Sequence, residues 1–156
     1  MRAFVLLFPA LLLASPVRAQ QPAVASLPLL VQQLAHTPEP LPTLPLKEAR
    51  RTLPQARQRY LRGLPAGTGF YLTARVLNEA ATPEPVVILV DTWQGTHISG
   101  RIVRLAPDGR PTPGATADFE ETAVLDWILL RANGAEEGNF LGKYLDLEER
   151  LAALQD

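Results

Sequence analysis

Asp91, His97 and Ser99 fall within nine residues of one another, and these are the residue types of a hydrolytic triad. In such a triad the imidazole takes the serine proton while the carboxylate orients the ring. The spacing argues against one here. His97 and Ser99 stand at i, i+2 on an expected strand that returns from a turn at Gln94 to Thr96. That register sets Asp91 opposite Ser99 and not against His97. The Gly-x-Ser-x-Gly elbow that exposes a nucleophile is also missing. His97 is kept as an outside acid–base candidate. Asp126 and Glu137 form the other set, because two carboxylates held in unlike environments can share acid and base roles in hydrolysis. A hydrolase-like enzyme using these carboxylates is therefore one reading of the chain. No metal site and no cofactor are expected. Cysteine is absent, His36 lies apart in a Pro-rich stretch, and the acids lack the repeated oxygen spacing of a calcium loop.

The segment Glu136-Glu137-Gly138-Asn139-Phe140-Leu141-Gly142-Lys143 is the best candidate binding surface. Gly138 and Gly142 admit backbone angles and close approaches closed to other residues. Glu137, Asn139 and Lys143 are then expected to present polar groups beside an exposed Phe140. A phosphate loop is excluded, because Gly142-Lys143 leads to Tyr144 and not to Ser or Thr. Just upstream, Val124 to Leu130 is apolar on both strand faces, so Trp127 is expected in the core with its indole N–H bonded to one partner. Asp126 in the same strand must be paired or accept hydrogen bonds. A structural clamp onto the amides around Gly138, or onto an Arg, is expected.

The elements that position these residues follow from local pattern. Met1-Arg2, the apolar run Ala3 to Ala14, and small residues at Val17 and Ala19 form the tripartite pattern of a secretory signal peptide over residues 1–19. The run is about twelve residues, short of the roughly twenty that span a bilayer. Cleavage after Ala19 leaves Gln20 to Asp156, one domain's worth of chain with no transmembrane segment. Loss of Arg2 and Arg18 leaves 13 basic residues against 16 acidic, a charge of −3. Such a balance excludes nucleic acid as partner, since phosphate contacts need clustered cations. With no cysteine there is no disulfide and no lipid attachment through one. A bacterial periplasmic or secreted location is expected.

Residues 20–46 carry six prolines and read as a Pro-rich tether, extended through Thr37 to Pro42, with a short helix allowed at Pro28 to Ala35. A single domain is expected over 47–156. Leu46, Ala49, Leu53, Ala56 and Tyr60 make one apolar helical stripe, interrupted at Pro54, which predicts two short helices or one kinked helix. Strands are expected at Phe70 to Val76, Val86 to Val90, His97 to Leu105, Ala117 to Glu120 and Val124 to Leu130, with a loop at Ala106 to Gly114. A final helix is expected from Asp146, with Glu149 completing a capping box and Leu147, Leu151 and Leu154 buried. No helix separates the strands, so they pair antiparallel. The fold class is α+β: a small curled antiparallel sheet or open barrel of about five strands, with N-terminal and C-terminal helices.

Several pieces resemble the uncharacterised DUF2314 domain family. These are Ala49-Arg50-Arg51-Thr52-Leu53-Pro54, Phe70-Tyr71-Leu72-Thr73-Ala74, Gly100-Arg101-Ile102, Leu125-Asp126-Trp127 and Glu137-Gly138-Asn139-Phe140. The resemblance covers about Lys47 to Leu147. It departs at Glu84-Pro85-Val86-Val87-Ile88, where many members of the family carry His and Trp. The family carries no function to transfer, so the resemblance bears on fold alone. Function is read from the residues. The leading reading is an exported accessory or binding domain without catalytic activity, for a protein or small envelope component. The carboxylate hydrolase and a purely structural envelope protein are the alternatives.

Overall fold

The computed structural model describes residues 26–155; the expected signal peptide lies outside them. Helix α1 (Ser26–Leu34) is followed by α2 (Thr43–Leu61), then by strands β1 (Gly69–Leu77), β2 (Pro83–Gln94), β3 (His97–Leu105) and β4 (Pro111–Glu120). A short 3-10 turn leads into β5 (Val124–Leu130), β6 (Glu136–Gly138) and helix α3 (Phe140–Ala153). The strands form one open antiparallel sheet in the order β4-β3-β2-β1-β5-β6. The α+β class expected above is the fold found. The sheet has six strands where about five were expected, and it does not close into a barrel.

Both faces of the sheet are covered. Leu53 and Ala56 of α2 lie over Phe70, Leu72, Ile88, Trp93, Trp127 and Leu129. On the other face Leu27, Leu30, Leu34, Leu41 and Leu141 lie over Val87, Val103, Leu125 and Ile128. Residues 26–46 therefore do not form a spacer. The three-and-four spacing of Leu27, Leu30 and Leu34 makes an apolar helix face, and a second sheet face is there to bury it. Pro28 stands in the first turn of α1, where a missing amide proton costs little.

α2 runs as one helix through Pro54, the single-helix alternative of the two expected. Pro54 and Arg50, whose carbonyl loses its partner, are both exposed, so water replaces the lost bond. Pro83 and Pro85 fit in β2 because they pair with β1 where β3 no longer runs alongside. β4 reaches back to Pro111, through the expected loop, since an edge strand tolerates its prolines. α3 starts six residues before the expected Asp146, which instead pairs with Arg150 at 2.9 Å inside the helix. Leu147, Leu151 and Leu154 are exposed, at 54%, 48% and 82%, and not buried. Among the described residues no helix is long and apolar enough to cross a membrane.

Candidate functional site

The junction of β5, β6 and α3 gathers most of the residues singled out above. A bulge begins it. Thr73 faces Asp126 and Ala74 faces Val124, which leaves Leu125 unpaired in β5. Alternation then sends Trp127 toward α2 and Asp126 toward the opposite face. Asp126 is 1% exposed. Its Oδ1 accepts from the Trp127 amide and its Oδ2 from the Leu141 amide, each at 2.7 Å. The clamp expected of Asp126 thus lands on the first turn of α3. Burial pushes its carboxyl up to about 7, against the pull of those two amides and the Lys143 ammonium.

Trp127 is buried on the other face, and its Nε1 donates to Thr52 Oγ1 at 2.9 Å. Thr52, from the middle of α2, is the indole's partner. Gly138 sits at φ +77 directly against Trp127, where a Cβ would meet the Trp127 carbonyl and ring. No other residue type fits that approach. Asn139 is buried, takes the left-handed conformation at φ 53, and caps α3 by accepting from the Gly142 amide at 3.1 Å. Its Nδ2 donates to Glu136 Oε1 at 3.1 Å. Lys143 Nζ donates to the Gly138 carbonyl at 2.6 Å. Phe140 is half-buried, edge-on to Trp127 at 6.0 Å, and not the exposed ring expected.

Glu137 is held by two arginines. It accepts from Arg59 at 2.5 and 2.9 Å and from Arg131 at 2.5 Å. The Arg59 bond is the largest of the effects that hold its carboxyl down at about 2. A depressed folded pKa gives stability that is present above the unfolded value of 4.5 and lost as pH falls toward 2. Solvent screens the cluster, since Arg59 and Glu137 side chains are 32% and 37% exposed. Glu137→Gln is therefore expected to cost about 1 kcal/mol at pH 7, less in added salt. Urea melts at pH 7 and pH 2 check this: most of the deficit should be gone at pH 2, and an equal deficit at both would deny the ion pairs.

The acid–base candidates do not meet. His97 is solvent-exposed at the β2–β3 hairpin, 3.3 Å from Glu120 and 3.6 Å from Asp118 of β4. Asp91 sits in a bulge of β2 and binds Arg101 at 3.0 Å, and Thr92 takes the place opposite Ser99. The turn takes only Gly95 and Thr96, so Gln94 pairs with His97 and the register at Ser99 is one residue off the expected one; the bulge at Asp91 then restores the pairing of Val90 with Gly100. Asp126 is sealed in the core, and Glu137 is occupied by its arginines. Among the described residues no group of three metal-ligating side chains forms.

A cleft does open beside the junction. About 530 Å³ in volume, it lies between the first turns of α2 and α3 and is lined by Leu44, Pro45, Lys47, Glu48, Arg51, Phe140 and Tyr144. Leu44 is 71% exposed. Glu48 is paired with Arg51 at 2.5 Å. Of the expected binding residues, Phe140 is the one that lines this cleft. Leu44 and Pro45 of its α2 wall fall within the expected tether, although Leu44-Pro45-Leu46 is apolar enough to signal a buried or binding face. No family model, curated protein or solved structure matches the chain. The DUF2314 resemblance rests on the quoted residues alone.

Proposed function

We propose that this protein is an exported, non-catalytic binding module whose ligand site is the cleft between α2 and α3. One observation carries the reading. Leu44, Pro45, Phe140 and Tyr144 form an apolar floor open to solvent, in a cleft whose volume falls within the roughly 300–1,000 Å³ common for ligand sites. With Glu48 paired to Arg51, Lys47 is, among the described residues, the cation left at the rim, so the ligand class is an apolar group bearing an anionic end. The separation of His97, Asp126 and Glu137 supports binding over the carboxylate hydrolase. Export rests on the pattern of residues 1–19.

An aromatic sulfonate such as anilinonaphthalene sulfonate has this chemistry and reports its own burial by fluorescence. Native protein is expected to enhance the emission saturably. Leu44→Asp and Tyr144→Ala should each weaken binding about tenfold, the loss of one apolar contact. Unchanged affinity in both correctly folded variants would remove the cleft as the site.

A further inference from the structure

Helix α3 carries two apolar faces. Leu141 and Leu145 lie against the sheet and α1. Phe140, Tyr144, Leu147, Leu151 and Leu154 recur at intervals of four, three, four and three, the spacing of a coiled-coil seam. Phe140 rests on Trp127 and Tyr144 borders the cleft. Beyond them, among the described residues, the stripe lies open: Leu147, Leu151 and Leu154 are all exposed. Every residue from Leu147 to Gln155 is exposed. The last seven helical residues, to Ala153, and the C-cap Leu154 present three leucines along one side of a segment too short to be stable alone in water.

Charge selects the occupant. In this register Tyr144 and Leu151 take the a positions, and Leu147 and Leu154 the d positions. Lys143 and Arg150 then flank the seam at g, and Glu148 and Gln155 at e. In a parallel pair each g residue faces the e residue five positions on in the other helix. Lys143 meets Glu148, twice by symmetry, and Arg150 meets Gln155. In an antiparallel pair Lys143 meets Arg150 and Glu148 meets its own copy, so like charges oppose throughout. Lys143 is able to keep its bond to Gly138 and reach across as well, since its side chain is 57% exposed and its ammonium has three donors.

We infer that this stripe is a homodimer seam, in which α3 lies parallel to α3 of a second copy of this chain. The inference goes beyond the cleft reading, because Leu147, Leu151 and Leu154 do not line the cleft.

Sedimentation equilibrium of the purified chain tests it. A seam of fewer than two full heptads is small, so the expected dissociation constant is on the order of tens of micromolar. Leu151→Glu should raise it at least about 100-fold, because each dimer loses two buried leucines. Thermal melting of the dilute monomer should be unmoved, since Leu151 is already exposed there. Glu148→Lys should weaken the dimer about three- to tenfold by setting Lys against Lys143, while Arg150→Glu should leave it nearly unchanged. A monomer persisting to about 500 μM, or a dimer indifferent to Leu151→Glu, overturns the seam. Tightening by Arg150→Glu with no effect of Glu148→Lys would be the antiparallel signature and overturns the parallel pairing. Tyr144 belongs to both sites, so variants at residues that are not shared separate the two proposals: below the dimer dissociation constant Leu151→Glu should leave sulfonate binding intact, and without sulfonate Leu44→Asp should leave dimerisation intact.

Discussion

Trp127→Ala is expected to destabilise the domain by about 3–5 kcal/mol, the usual range for emptying a buried aromatic site. The indole is the hub of an aromatic cluster. Phe70 stacks on it at 6.5 Å with the planes 5° apart, and Phe140 meets its edge at 6.0 Å. Its Nε1 anchors α2 through Thr52, and its carbonyl accepts from the Asn139 amide at 2.8 Å. The collapse that would soften the loss is restricted. Gly138 has no side chain to fill the space, and Phe70 is 2% exposed and tied into Tyr60 and Trp93 as well. A domain with a total stability of about 5–15 kcal/mol retains little after such a cut. Trp127→Phe keeps most of the volume and loses the bond to Thr52, so it should cost less, about 1–2 kcal/mol. Urea denaturation of the two variants decides the matter. A loss below about 1 kcal/mol for Trp127→Ala would show that the indole does not hold the two layers together.

The same residues show what a sequence makes visible and what it hides. β1 and β5 were legible because period-two alternation and an apolar run are local signals, and the burial of Trp127 followed from its apolar neighbours. The start of α3 was not legible. The local signal, Asp146 with Glu149, sits inside the helix, whereas the groups that begin it are a left-handed Asn139 and a carboxylate fifteen residues upstream of Leu141. No pattern within α3 announces a cap delivered from a β5 bulge. Residues 26–46 misled for a related reason. Their prolines are a local signal for extended chain, but the burial of Leu27, Leu30, Leu34 and Leu41 depends on a sheet face formed by residues after 69. The cleft is hidden more deeply still, since its walls lie about ninety residues apart in the chain. The leucines at 147, 151 and 154 failed in the opposite sense: their periodicity predicts a buried stripe, but among the described residues no element covers them and they stay exposed.

Asp126 should make stability fall as pH rises between about 4 and 8. Burial is the larger effect on this carboxyl and lifts it from 3.8 to about 7. The amides of Leu141 and Trp127 and the Lys143 ammonium favour the anion but are outweighed. A folded pKa above the unfolded one means that the folded chain holds this proton more tightly. The stability so gained is complete below pH 3.8 and is lost as pH rises through about 7. At about 1.36 kcal/mol per pKa unit the loss amounts to about 4 kcal/mol. Asp126→Asn removes the titration but also one oxygen, so the Leu141 or Trp127 amide loses its acceptor and faces an NH₂ group. That costs about 1–3 kcal/mol, independent of pH. The variant should therefore be the less stable protein at pH 4 and match or exceed the wild type at pH 8, with the two curves crossing between. Glu137 does not blur the crossing, because its contribution titrates between 4.5 and about 2 and is common to both proteins. Urea melts at pH 4, 6 and 8 give the curves. A variant that stays below the wild type by the same margin throughout would mean that Asp126 is ionised across the whole range, its two amides outweighing its burial. A crossing would place the proton on Asp126 near neutrality, at the first turn of the helix that carries Phe140 and Tyr144 into the cleft.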